Sequence, residues 1–117
     1  MTIAALKRDV CAAIDTMAPE LIGVSHAIHA NPELAFHEFE AAKLLTAKLE
    51  QHDLPVTRAA FGLQTAYSSS FGPDGTPEVA ILSEYDALPG IGHACGHNII
   101  ATTGLGASLA LAKLGVN

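Results

Sequence analysis

The stretch "EVAILSEYDALPGIGHACGHN", residues 78–98, runs from an unbroken apolar segment into a loop that holds two acids, two histidines and a cysteine. The segment Val79, Ala80, Ile81 and Leu82 predicts a strand buried on both faces, as in the parallel sheets of α/β proteins. The next segment, Asn98 to Leu114, is apolar nearly all round and rich in small residues, which predicts a helix packed closely on a sheet. Gly115 suits its C-terminal cap and Asn98 its N-cap. Strand, loaded loop and buried helix in that order place a site at the carboxyl end of a strand, where open α/β folds bind ligands.

Within the loop the spacing points to chemistry. Glu84 and Asp86 are two apart at a strand end, so both side chains leave on the same side. His93, Cys95 and His97 also alternate, separated by Ala94 and Gly96, and an extended loop would face all three one way. Thiolate and imidazole are good zinc ligands, and carboxylates suit manganese and zinc alike. Proximity to a helix N-terminus favours the Cys95 thiolate. The competing readings are carboxylates that merely cap a turn, and a cysteine nucleophile activated by histidine. A single Cys-x-His does not make a structural zinc site, which normally uses two such pairs.

Upstream, Ile3, Leu6, Val10, Ile14 and Met17 have the spacing of an amphipathic helix. Pro19 suits the first turn of a second helix carrying Leu21, Ile22, Val24 and Ile28, which Asn31-Pro32 ends. A third helix is predicted from Glu38 to His52, with Leu44, Leu45 and Leu49 on one stripe. PVTRAAF and LQTAYSSSF read as strands about a turn at Gly62, and GPDGTP, residues 72–77, as a strong turn. His26 and His29 stand one helical turn apart, able to bind a metal or simply to suit a helix C-terminus. His37 and His52 read as surface residues and Cys11 as a small core residue.

The 117 residues fit one small domain of globular composition. A formal net charge of −6 with scattered basic residues argues against nucleic-acid and anionic-membrane partners. No apolar run reaches membrane-spanning length, and the N-terminus lacks the order of a secretory signal, so the expected location is cytoplasmic. Two cysteines far apart read as free thiols or ligands, not a disulfide.

"EYDALPGIGHACGHN" closely resembles the metal-binding segment of the aminoacylase and carboxypeptidase-G-like family of di-metal amidohydrolases, in its p-aminobenzoyl-glutamate hydrolase and aminoacylase-like dipeptidase branch. "HAIHANPELAFHEFEAAKLLTAKLE", residues 26–50, resembles the family's N-terminal helices, and "GLQTAY", residues 62–67, a strand upstream of the site. The resemblance implies an α/β fold: the N-terminal part of a zinc-peptidase-like catalytic domain, with helices, a mixed sheet, the site loop and a buried helix. It implies that residues 1–117 are the N-terminal portion of that domain, without its second half and the lid domain. It places Cys95 and His97 as metal ligands and Asp86 as the carboxylate that orients the site. Glu84 stands where more distant members carry a histidine ligand and is not counted; the role of His93 stays open.

The implied activity is hydrolysis of the amide bond of an N-acyl or aroyl amino acid or a dipeptide, by a zinc or manganese pair. The general base and the later ligands of the family do not map onto these residues, so the chain by itself is expected to be inactive. Two alternatives remain beside that reading: a non-enzymatic remnant, or half of a split enzyme that acts by self-association or with a complementing C-terminal chain.

Overall fold

The computed structural model describes residues 1–116, which contain three α-helices: α1 (Ile3–Ala30), α2 (Phe39–Gln51) and α3 (His97–Lys113). Thr2 caps α1 by accepting the Ala5 N–H at 3.1 Å. Where the sequence predicts two helices divided at Pro19, α1 is continuous for 28 residues with Pro19 inside it. A proline in a helix interior loses one backbone bond and crowds the preceding turn. Burial of an unbroken stripe, Ala13, Met17, Leu21, Val24 and Ile28, offsets that cost.

That stripe packs mainly on α3, whose Ala101, Leu105, Leu109 and Ala110 complete the core with Ala41, Leu45 and Leu49 of α2. Small residues set the approach. A Cβ on Gly106 would lie 2.9 Å from Leu21 Cδ1, and one on Gly104 would lie 1.9 Å from Ser83 Oγ. The glycines of α3 thus admit α1 on one side and residues 81–83 on another. The helix ends with Gly115 at φ +62°; its N–H donates to Ala112 and that of Val116 to Leu111, the two bonds of a Schellman end. Gly115 therefore does what the sequence predicts of it.

The segment 31–38 seats α2. Glu38, at the N-cap position, makes no capping bond with its side chain. Glu33 takes that role from outside, accepting the N–H groups of Glu40 at 2.9 Å and Ala41 at 2.8 Å. Backbone N–H groups at a helix N-terminus favour such a carboxylate. The Glu33 carbonyl accepts the Ala87 N–H at 2.7 Å, and Leu34 forms a parallel bridge with Ala87.

The sheet is smaller than predicted. Among the described residues it is an antiparallel ribbon, β1 (Thr57–Arg58) with β2 (Tyr67–Ser68), paired Thr57 to Ser68 and Arg58 to Tyr67. The predicted buried strand is not formed: Val79 is 91% and Leu82 83% exposed, because no neighbouring strand covers them. The antiparallel ribbon corrects the expectation of a mixed sheet within the described residues, although helices and a small sheet in this order are compatible with part of an α/β domain. Cys11, expected in the core, is exposed on α1, and both cysteines are free. His52 has a partner that the sequence does not reveal: its Nε2 lies 3.1 Å from Glu20 across α1 and α2. No helix is long and apolar enough to cross a membrane.

Candidate active site

The loop between residues 84 and 96 is shaped by turns. The Leu88 N–H donates to Gly92 at 2.9 Å, and the Gly96 N–H to His93 at 3.0 Å. Gly96, at φ +75°, stands at the N-cap of α3, so the helix begins at His97. Asn98 is accordingly not the cap. It lies inside the first turn, buried, and its amide donates to Ser25 Oγ at 3.0 Å, tying α3 to α1.

These turns also overturn the expectation that His93, Cys95 and His97 face one way. His93 is buried, Cys95 is exposed, and His97 opens a helix. An alternating pattern survives only in extended backbone, and the turn at 93–96 removes it.

The expectation for Glu84 and Asp86 holds: both reach the same group. Asp86 Oδ1 lies 2.7 Å from His97 Nδ1, and Glu84 Oε2 lies 3.1 Å from His97 Nε2. A neutral imidazole carries one N–H and can donate to only one of these carboxylates. The contact of Glu84 with His97 is what sequence reading missed; the period-2 spacing of Glu84 and Asp86 was its signal. Among the described residues, no three His, Cys, Asp or Glu side chains come together closely enough to hold a metal ion by themselves.

Beside Glu84 and Asp86 opens a cleft of about 300 Å³, whose wall includes Phe36, Glu38, Thr65 and Tyr85. Glu38 is buried and accepts the Thr65 hydroxyl at 2.8 Å. The Tyr85 hydroxyl donates to the Thr65 carbonyl, and its ring stacks on Tyr67 with centroids 5.9 Å apart. Burial, with Tyr67 and Glu38 nearby, pushes the Tyr85 phenol well above its usual range, so it remains a donor at any ordinary pH. His93 lies on the other side of the loop, with its ring 6.3 Å from that of His29. Burial, then the positive ends of His29 and His97, hold the His93 imidazole below its usual pKa, against weaker pulls from the Ile28 carbonyl and Asp86.

Comparison with known proteins bears on this arrangement. No protein-family model matches the sequence. The chain is 42% identical to the Xaa-Arg dipeptidase of Mus musculus over 115 residues, which is 91% of this chain and 27% of that protein. It is 33% identical to a chain of the p-aminobenzoyl-glutamate hydrolase of Escherichia coli (strain K12) over 118 residues, 86% of this chain and 24% of the relative. It is 29% identical to the N-acetyl-L-cysteine deacetylase of Bacillus subtilis (strain 168), with 84% and 27% covered. The chain belongs to the aminoacylase-like amidohydrolase family. It spans about a quarter of the length of these relatives. The aminoacylase-like segment therefore includes the loop 84–98 and the helices that flank it.

Proposed function

We propose that this chain carries part of the active site of a metal-dependent amidohydrolase, acting on the amide bond of an N-acyl or aroyl amino acid or a dipeptide. The observation that carries the reading is the setting of His97, oriented at Nδ1 by Asp86 and left with Nε2 toward Glu84. That is the arrangement of a metal-ligating histidine, whose second nitrogen is fixed by a carboxylate. The donor set fits zinc or manganese: Cys95 and His97 as ligands, Asp86 fixing the tautomer.

Glu84, whose Oε2 lies 3.1 Å from His97 Nε2, would sit beside an ion held by His97 and offset part of its charge. A bound divalent ion supplies Lewis acidity and a water acidified toward neutral pH. In this reading Asp86 holds the imidazole, Glu84 balances positive charge, and the cleft beside them receives the substrate. The general base, the remaining ligands and the lid domain lie in sequence outside residues 1–117, which form the N-terminal portion of the catalytic domain; the relatives' greater length supports this. The chain alone then binds metal weakly and does not turn over substrate. The alternative, a chain that works by associating with another, is favoured by the exposed Val79, Leu82 and Ile99.

The test is a cobalt(II) titration followed by thiolate-to-metal charge-transfer absorption. We expect a band that Cys95→Ser removes and Cys11→Ser keeps, with Asp86→Asn weakening affinity about 10–100-fold. No band, or one that survives Cys95→Ser, overturns the metal assignment.

A further inference from the structure

The proposed chemistry leaves one buried group without work. His93 is 9% exposed, and neither of its ring nitrogens has a hydrogen-bond partner among the described residues. The Ile28 carbonyl is near enough to act on the charge of the ring without meeting hydrogen-bond geometry. Each buried polar atom left unsatisfied is costly, and an apolar residue at this place would avoid the cost. Something that binds imidazole nitrogen would account for the ring.

The neighbour of His93 is a second imidazole. His29 sits in the last turn of α1, exposed, with its ring 6.3 Å from that of His93 and the planes 31° apart. An ion about 2.1 Å from one nitrogen of each ring, with each nitrogen about 1.1 Å from its ring centre, separates two centroids by at most about 6.4 Å. The observed spacing lies inside that reach. Rotation of the exposed His29 side chain closes it toward tetrahedral geometry, and solvent on the His29 side can supply the remaining ligands. Neutral imidazole is the ligand that zinc and similar borderline cations prefer.

We propose that His29 and His93 form a transition-metal site, separate from Cys95 and His97, that takes zinc or a cation of like character. Its occupation fastens the last turn of α1 to the loop that carries Cys95. A gap in the hydrogen bonding of His93 thereby becomes a bond between the longest helix and the candidate active site.

The experiment uses zinc alone as the probe, on the chain carrying Cys95→Ser and His97→Ala together, so that the other site is removed. Calorimetry measures affinity, and imidazole nitrogen NMR reports which rings respond. The double variant is expected to bind one zinc, with the His29 and His93 signals both shifting. Adding His29→Ala, at an exposed position, is expected to weaken that binding at least tenfold. If the double variant binds no zinc, or if His29→Ala leaves its affinity unchanged, the proposal is overturned. Neither result touches the cobalt–thiolate assignment of Cys95, which is read by a different signal in a protein that retains it.

Discussion

The helical body and the segment 79–82 both carry apolar side chains, yet these end in opposite environments. Val24, Leu45 and Leu105 are buried to within a few per cent, whereas Val79 and Leu82 stand almost wholly in solvent. The difference is the presence of a partner. Leu45 finds α1 and α3 within the chain, while Ile81 and Ser83 approach α3 at Gly104 and leave Val79 and Leu82 uncovered. Hydrophobicity fixes what a segment would bury, but burial also needs a surface to bury it against.

Substitutions can sharpen that contrast. Leu45→Ala removes a side chain with no exposed area and leaves a cavity in the helical body; we expect a loss of about 2–5 kcal/mol in denaturant unfolding. Glu33→Ala takes away the carboxylate that caps α2, with an expected loss of about 0.5–2 kcal/mol by the same measurement. A wild-type value for that variant would mean that solvent serves the N–H groups equally well.

A smaller effect is expected of Glu20. Partial burial would raise its pKa, but His52 and Lys48 outweigh this and hold the carboxyl below its usual range. A carboxylate whose folded pKa is depressed contributes stability above its unfolded pKa, near 4.5, and loses it as pH falls through the lower folded value. Glu20→Gln should therefore flatten the stability profile on the acid side of about pH 4.5. Its size should be a few tenths of a kcal/mol, about that of other solvent-accessible pairs. Leu82→Ser completes the series at about zero, within ±0.5 kcal/mol. A loss of about 2 kcal/mol there would break the comparison, because it would mean that residues 79–82 are covered in solution.

What the sequence made legible obeys the same distinction. The third predicted helix matches α2 within a residue at each end, because its apolar stripe and its flanks agree. The pairing of Glu84 with Asp86 was legible from strand alternation, and the two carboxylates do converge on His97. Alternation failed about ten residues later, where the turn over 93–96 leads into α3 and leaves His93 buried and Cys95 exposed. The continuity of α1 through Pro19 was hidden because packing against α3 decides it, not local propensity. Glu20 and His52 are 32 positions apart, and no local pattern announces such a contact.

Glu33 has a consequence for how this site can be altered. Its carboxylate grips the start of α2, while its carbonyl holds Ala87, the residue next to Asp86. One residue thus serves as a shared hinge pin for a helix and for the carboxylate that orients His97. A change among residues 31–34 would reach that carboxylate through the backbone, with Asp86 and His97 themselves unaltered. Such remote changes should be sought wherever the setting of His97 is to be altered, where attention normally goes to the residues that touch it.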